Sequence, residues 1–133
     1  MHGEGVWAHA TIPLIGVVHL AALPGMPRNR LRFSEIIERA VADALSYQRG
    51  GASGLIVENF GDVPYAKRRV EPHVVAAITL AVEAVMAAVD IPTGINLLRN
   101  DVLGAIGIAA VTGAPFIRAN VHTGATITDQ GII

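Results

Sequence analysis

The sequence predicts an α/β fold in which short buried strands alternate with helices. Four apolar runs rich in β-branched residues each end abruptly in polar side chains. The composition agrees, since 52% of the residues are hydrophobic, 16% are charged and 5% are aromatic. Such a chain must be covered on more than one side, which is typical of a parallel sheet wrapped by helices of small residues. The four runs are residues 13–20, 54–60, 95–98 and 116–122.

The first unit is a strand over residues 13–20, a loop rich in proline and glycine, and a helix. Ser34 is the predicted N-cap of the helix, and the glycine pair 50–51 ends it. Residues 1–11 are predicted to be a loose lead-in. The apolar residues that share one face of the helix are Ile37, Val41, Ala44 and Leu45.

The second unit begins with the strand 54–60 and continues into a polar loop, residues 61–69. Glu71 and Pro72 open its helix, because proline is well tolerated at the first helical position. The predicted core face of this helix is Val75, Ile78, Val82, Val85, Met86 and Val89.

The third unit has its strand within residues 92–101, and Asp101 is placed to cap a helix over 102–112. That helix carries no charged residue, and a helix that is apolar all round is normally buried all round. We therefore expect another subunit, or a segment absent from this chain, to cover it. The run 116–122 is the fourth predicted strand, and a loop over 123–131 follows.

Four strands joined by helices imply a parallel sheet with right-handed connections. No Gly-x-Gly-x-x-Gly fingerprint follows the first strand, and no Walker A sequence is present. The sequence therefore favours a TIM-type (β/α)8 barrel over a nucleotide-binding doubly wound sheet. Residues 1–133 form one domain with about the first four βα units, a half-barrel that is either truncated or completed by a second copy.

Charge and composition exclude several classes of protein. The net charge is −1, and no basic stripe interleaved with aromatic residues is present, so nucleic acid is not an expected partner. The absence of cysteine excludes disulfides and thiol chemistry and agrees with a cytoplasmic location. The apolar windows 74–89 and 102–111 are interrupted by Glu83 or too short, so no integral membrane span is expected.

Polar side chains at the strand ends are the candidate site, because strand carboxyl ends meet at one mouth in a barrel. Glu58 is the candidate general base or metal ligand, and alternatively it caps a helix or pairs with Arg118. His19 and His122 are candidate proton shuttles or ligands, or structural histidines. Their spacing matches no metal motif, so neither a metal nor a cofactor is identified.

Amides and arginines complete the candidate site. An arginine within an apolar run must be paired or face a polar cavity, so Arg118, like Arg99, is a candidate anion ligand. The alternative for Arg118 is an ion pair with Glu58. Asp101 is interpreted as either a helix cap or a contact to a metal or substrate. Asp62 is interpreted as a solvated turn residue. The amides that could orient a substrate, or merely form turns, are Asn59, Asn96, Asn100 and Asn120. The basic loop that could cover an anion, or simply be solvated, is Lys67, Arg68 and Arg69.

Four blocks of the sequence resemble the BtpA family and occur in that family's order. The resemblance implies a TIM-type barrel grouped with phosphate-binding barrels, in proteins about twice this length. It also implies, for one branch, a role in photosystem I biogenesis in cyanobacteria with peripheral attachment to thylakoid membranes. For other branches it implies an enzymatic role without a defined reaction. The blocks are GVVHLAALPGMP at 16–27, ENFGDVPY at 58–65, GINLLRND at 94–101 and FIRANVHTG at 116–124.

The leading functional expectation is an enzyme that acts on a small phosphorylated metabolite, such as a sugar phosphate or a nucleotide-like molecule. One alternative is a non-catalytic assembly factor for a membrane complex such as photosystem I, and another is an inactive fragment. The sequence does not decide whether the protein is an enzyme. The expected partners are a small anionic metabolite and either further copies of the chain or a missing C-terminal half.

Overall fold

Strands and helices alternate along the chain in the order that the sequence predicts. The computed structural model describes residues 5–8 and 10–133. The main elements are β1 (Ile15–His19), α1 (Phe33–Arg49), β2 (Gly54–Glu58), α2 (Pro72–Ala88), β3 (Thr93–Asn96) and α3 (Val102–Thr112). A short hairpin follows, formed by β4 (Ile127–Thr128) and β5 (Gly131–Ile132).

The three main strands form one parallel sheet in the order β1-β2-β3. His19 pairs in register with Glu58, and Glu58 with Asn96, so the strands end level with one another. α1 packs against α2, and α2 packs against α3, so the helices lie side by side against one face of the sheet. The predicted α/β class with a parallel sheet is thus confirmed.

The hydrophobic core lies between the sheet and the helices. Alternate strand residues face it, among them Leu55 and Val57 of β2, which are fully buried. α2 presents most of the predicted face, and Ile78, Val82 and Val85 are inaccessible to solvent. In α1 the fully buried residues are Ile36, Ala40 and Ala44, while Ile37 and Leu45 lie partly buried beside them. The apolar stripe of α1 is therefore centred about one residue earlier than predicted.

The helix boundaries show which capping predictions are right. Pro72 is the first residue of α2, and Gly50 follows α1, as predicted. The predicted cap at Ser34 is wrong. The backbone N–H of Arg32 instead donates to the Glu35 carboxylate at 2.9 Å, so the helix begins at Phe33. This interaction satisfies the backbone N–H of the N-cap residue without a serine hydroxyl.

The predicted fourth strand is reduced to a single parallel bridge between Ile95 and Ile117. Side-chain amides replace the expected ladder. Asn96 donates to the Arg118 carbonyl at 2.9 Å, and Asn100 exchanges two hydrogen bonds of 3.0 Å with the backbone of Val121. The prediction of a strand over 116–122 is therefore wrong in extent, although the segment does run beside β3.

Two aromatic rings cover the amino-terminal half of the sheet face that points away from the helices. Trp7 and Phe116 meet edge to face with ring centroids 5.0 Å apart. A Cβ built on Gly54 would overlap the Trp7 ring, and one on Gly94 would overlap the Phe116 ring. The described part of the predicted lead-in thus packs on the sheet through Trp7, whereas residues 1–4 and 9 lie outside the described residues.

α3 is covered by the rest of the chain on one side only. Ala105 and Ile108 are buried, but Leu103, Ile106 and Val111 are exposed, Val111 at 79%. The sequence predicts that this helix is covered all round. Within the described residues nothing covers its outer side, and a covering partner stays a prediction.

Candidate functional site

A row of polar side chains crosses the carboxyl ends of the strands. His19, Glu58 and Asn96 are direct register partners on β1, β2 and β3, so their side chains project from the same face of the sheet. Arg118 extends the row, because its backbone N–H donates to the carbonyl of Ile95 at 2.8 Å. The topology that the sequence predicts thus brings four of the candidate residues into one line.

Glu58 lies at the centre of the row and is only 5% exposed. One carboxylate oxygen is 3.5 Å from Nε2 of His19, and the other is 3.7 Å from Nη1 of Arg118. Burial raises the pKa of the Glu58 carboxyl above its ordinary value of 4.5, while His19 and Arg118 oppose that rise. A buried carboxyl group with a raised pKa and half-exposed basic neighbours is suited to accept and return a proton.

His19 sits between the buried carboxylate and solvent. Its side chain is 49% exposed, and its ring stacks on Phe60 with centroids 4.2 Å apart and planes 16° apart. Phe60 is itself half exposed. The pair therefore forms a flat, accessible surface beside Glu58.

Amide hydrogen bonds connect the other end of the row. Asn96 is buried, and its Nδ2 donates to Oδ1 of Asn120 at 3.1 Å as well as to the Arg118 carbonyl. Asn120 in turn donates to the carbonyl of Arg99 at 2.7 Å. Oδ1 of Asn96 is buried without a hydrogen-bond partner among the described residues. This network fixes the backbone at the strand ends relative to the row.

Asn59 and Asp62 lie in the buried framework of the loops. The Asn59 amide accepts from the backbone N–H of Leu98 at 2.7 Å and donates to Asp62 at 3.2 Å. Asp62 also accepts from the N–H of Leu23 at 2.8 Å and is 1% exposed, so the expectation of a solvated turn residue is wrong. Burial raises the pKa of its carboxyl above the ordinary value of 3.8. These two residues tie the ends of β1, β2 and β3 together.

Arg99 contacts the hairpin formed by β4 and β5. Its Nη1 donates to Thr128 Oγ1 at 3.3 Å, to the Gln130 carbonyl and to the Gly131 carbonyl at 3.5 Å. The hairpin is also joined to Tyr65, whose N–H donates to the Gln130 side chain at 2.9 Å. A cavity of about 190 Å³ lies between these groups. The segment predicted as a plain loop therefore forms a hairpin that is hydrogen-bonded to Arg99 and Tyr65.

Asp101 and Asn100 hold the start of α3. Asp101 accepts from the N–H of Gly104 and, with its other oxygen, from the N–H of Val70, both at 2.9 Å. The capping alternative for Asp101 is thus confirmed. The side-chain amide of Asn100 donates to the Val121 carbonyl and accepts from the Val121 N–H. Both residues also line a cleft of about 460 Å³, together with the basic loop Lys67, Arg68 and Arg69.

His122 is exposed and lies beyond the row. Among the described residues, no three His, Cys, Asp or Glu side chains come together closely enough to hold a metal ion.

None of the helices described, from α1 to α3, is long and apolar enough to cross a membrane.

The sequence analysis does not identify the buried hydrogen bonds by which Asp62 joins the loops, because no local pattern signals them.

The fold and the row define an α/β protein with a parallel sheet and a candidate site at the carboxyl ends of its strands. The chain belongs to the BtpA family, whose family model matches residues 10–133. No solved structure matches the chain significantly.

Relatives come from all three domains of life. An uncharacterised protein of Pyrococcus furiosus is 52% identical over 121 residues, which cover 91% of this chain and 46% of that protein. The photosystem I biogenesis protein BtpA of Synechocystis is 50% identical, over 91% of this chain and 42% of its own length. An uncharacterised mitochondrial protein of Caenorhabditis elegans is 36% identical, over 91% of this chain and 46% of its own length. The chain spans about half the length of the curated relatives it matches.

Proposed function

We propose that this chain forms part of a TIM-type (β/α)8 barrel enzyme that acts on a small phosphorylated metabolite. The observation that carries the proposal is the row His19, Glu58, Asn96 and Arg118. These four side chains stand in line at the carboxyl ends of adjacent parallel segments. Active sites of (β/α)8 barrels are built at that end of the strands.

The arrangement of the helices supports a barrel over a doubly wound sheet. The strands are adjacent in sequence order, and the helices between them pack against one another in the same order. In a doubly wound sheet the helices occupy both faces. Here the face opposite the helices instead carries the row and the ring pair Trp7 and Phe116, as the inside of a barrel would. The remaining strands would come from a segment equivalent to the other half of the longer relatives.

Glu58 would act as the general acid or base. Its carboxyl lies 3.5 Å from His19, which is half exposed and could pass the proton on to solvent. Arg118 lies 3.7 Å from Glu58, and an anionic ligand could draw its guanidinium away. The freed, buried carboxyl would then hold a proton more readily, because loss of the cation removes an influence that lowers its pKa.

The test measures proton transfer directly and does not require knowledge of the product. The chain, together with the segment proposed to complete its barrel, is incubated in D2O with a panel of sugar phosphates and nucleotides, and deuterium incorporated into each compound is measured by mass spectrometry. Glu58→Gln should lower the exchange rate of the active compound by about 10²- to 10⁴-fold. Glu38→Gln, which alters an exposed carboxylate on α1, serves as the matched control. The proposal is wrong if no compound exchanges and none raises the melting temperature.

The exposed side of α3 favours a second candidate, a non-catalytic assembly factor for a membrane complex such as photosystem I. Leu103, Ile106 and Val111 form an apolar strip on that side. One relative is named a photosystem I biogenesis protein. In this case Ile106→Gln should abolish co-sedimentation with thylakoid membranes, whereas Glu58→Gln should leave it intact. The opposite pattern would exclude the strip as the contact.

A further inference from the structure

We infer that Arg99 binds an oxyanion group of the metabolite through the Nε and Nη2 edge of its guanidinium. The inference rests on the proposed function, because it specifies which part of the ligand this chain would recognise. It separates Arg99 from Arg118, which the sequence treats alike.

Arg99 is a buried cation without a counter-ion. It is 6% exposed, and no carboxylate of the described residues lies within ion-pair distance of it. Arg118, by contrast, has a side chain that is 53% exposed and faces Glu58 at 3.7 Å. A buried charge is costly unless it is paired, so the environment of Arg99 favours an incoming anion.

The hydrogen bonds of Arg99 leave one edge of the guanidinium free. All three bonds to the hairpin come from Nη1, and their acceptors are a hydroxyl and two carbonyls, which are neutral. Nε is buried and has no partner among the described residues, and no bond from Nη2 is formed there. The Nε and Nη2 hydrogens form a fork that matches two oxygens of a carboxylate or phosphate.

The cavity beside Arg99 has the size and lining for such a group. Its volume of about 190 Å³ is below the range of sites that enclose a whole drug-sized ligand. Polar groups on its wall include Tyr65, Asn120 and Thr128, and Leu98 and Val121 make up part of the apolar remainder. Asp129 also lines the cavity but is exposed, so it can turn to solvent. Once the Nε and Nη2 edge is exposed to it, the cavity would take the oxyanion group while the rest of the metabolite lies along the row.

Nε is shielded from solvent, so entry of the anion requires a neighbouring group to shift, and the hairpin holds the adjacent Nη1. Besides its contacts with Arg99 and Tyr65, it is closed by two reciprocal backbone hydrogen bonds of 2.9 Å between Thr126 and Ile133. Anion binding should therefore change the hydrogen-exchange protection of these two amides.

The experiment titrates the chain with inorganic phosphate and, separately, with acetate, and follows backbone amide signals by NMR. Arg99→Met should weaken binding of the preferred anion by about 10- to 100-fold, because charge-assisted hydrogen bonds are lost. Arg39→Met, the matched control at an exposed arginine of α1, should change the affinity less than about twofold, since its guanidinium is solvated and lies outside the site. A preference for phosphate or for acetate identifies the oxyanion.

A hairpin that detaches in Arg99→Met would also weaken binding, so a second pair of variants is needed. Thr128→Val removes one hairpin contact of Arg99 and keeps the free edge, and phosphate or acetate should still bind. Arg99→Lys keeps the charge without the fork, and binding should be lost to nearly the same degree as in Arg99→Met. Equal binding by Arg99→Lys and the unmodified chain overturns the inference, and so does a loss that is as large in Arg39→Met.

The two proposals can fail separately. Glu58→Gln should bind phosphate or acetate as well as the unmodified chain does, because Glu58 is absent from the cavity wall. If the anion binds at Arg99 but no metabolite of the panel exchanges deuterium or raises the melting temperature, the proposed function is wrong and the anion site stands. If neither phosphate nor acetate binds in the millimolar range, the anion site is wrong whatever the outcome of the exchange assay.

Discussion

Glu58 and Asp62 are two buried carboxylates at the end of the same strand, and their surroundings differ in kind. Both have a pKa raised chiefly by burial. Glu58 faces two groups that carry or can carry positive charge, and both are about half exposed. Asp62 accepts hydrogen bonds from a backbone N–H and from the Asn59 amide, which are neutral and buried, and His73 adds a weaker influence that lowers its pKa.

The difference separates a carboxylate that holds the fold from one that is available for chemistry. The partners of Asp62 cannot move to water without breaking the loop framework, so removal of its carboxylate leaves buried donors unpaired. The partners of Glu58 are solvated on their outer sides and can be released. A raised pKa alone would not distinguish the two residues.

The largest expected effect is on the framework side of this comparison. Asp62→Ala should lower the free energy of unfolding by about 3 kcal/mol, because the N–H of Leu23 and the amide of Asn59 lose their acceptor. Urea denaturation gives the value. Asp90→Ala, at an exposed aspartate, should stay within about 0.5 kcal/mol of the unmodified chain. If Asp62→Ala lowers the free energy of unfolding by less than Asp90→Ala does, Asp62 does not stabilise the loops as described.

A smaller loss is expected at Asp101, which is a framework carboxylate of another kind. Asp101→Ala should cost about 2 kcal/mol, since it removes the cap of α3 and the acceptor of the Val70 N–H. Circular dichroism during urea unfolding measures the change. Asp101→Asn should recover part of the loss, because its side-chain oxygen can still cap the helix. Without such recovery, the capping contribution would be negligible.

Glu58→Gln should change the free energy of unfolding by less than about 1 kcal/mol in either direction. The loss of two ion pairs with half-exposed partners is offset by relief of the desolvation of the carboxylate. The same urea experiment provides the comparison with Asp62→Ala. A large loss of stability here would show that Glu58 belongs to the framework, and it would weaken the proposed catalytic role.

The smallest expected effect is a pH dependence of the free energy of unfolding that is due to Glu58. Because the pKa of Glu58 is raised in the folded state, the native chain binds more protons than the unfolded chain between pH 4.5 and the raised value. Stability due to this group is therefore highest below pH 4.5 and falls as the pH rises through that window. The stability difference between the unmodified chain and Glu58→Gln should decline accordingly in thermal melts. Glu38→Gln should give a difference that is nearly flat, and a difference that rises with pH would contradict the assigned shift.

The sequence predicts the main strands and helices well where local patterns carry the information. Apolar runs and helical periodicity locate the sheet and all three main helices, and Asp101 is recognisable as a cap. The pattern fails at residues 116–122, because an apolar run does not reveal that the amides of Asn96 and Asn100 replace strand pairing. It also fails at the hairpin, whose contacts with Arg99 and Tyr65 join residues about 30 and 65 positions apart.

The candidate site divides in the same way. The polar tips of the strands are visible in the sequence, because each interrupts an apolar run, and topology then predicts that they converge. Which tips share a face depends on strand register, which only the folded sheet fixes. Register places His19, Glu58 and Asn96 in one row and turns Asn59 into the loop framework.

The sequence by itself determined the α/β class, the order of the elements from β1 to α3 and the family, because these depend on composition, periodicity and motifs along the chain. Tertiary structure alone decided the separate roles of the charged residues. Glu58 and Asp62, or Arg99 and Arg118, look equivalent in sequence. Their burial and partners come from segments distant in the chain, and the free energy of a charge depends on those surroundings.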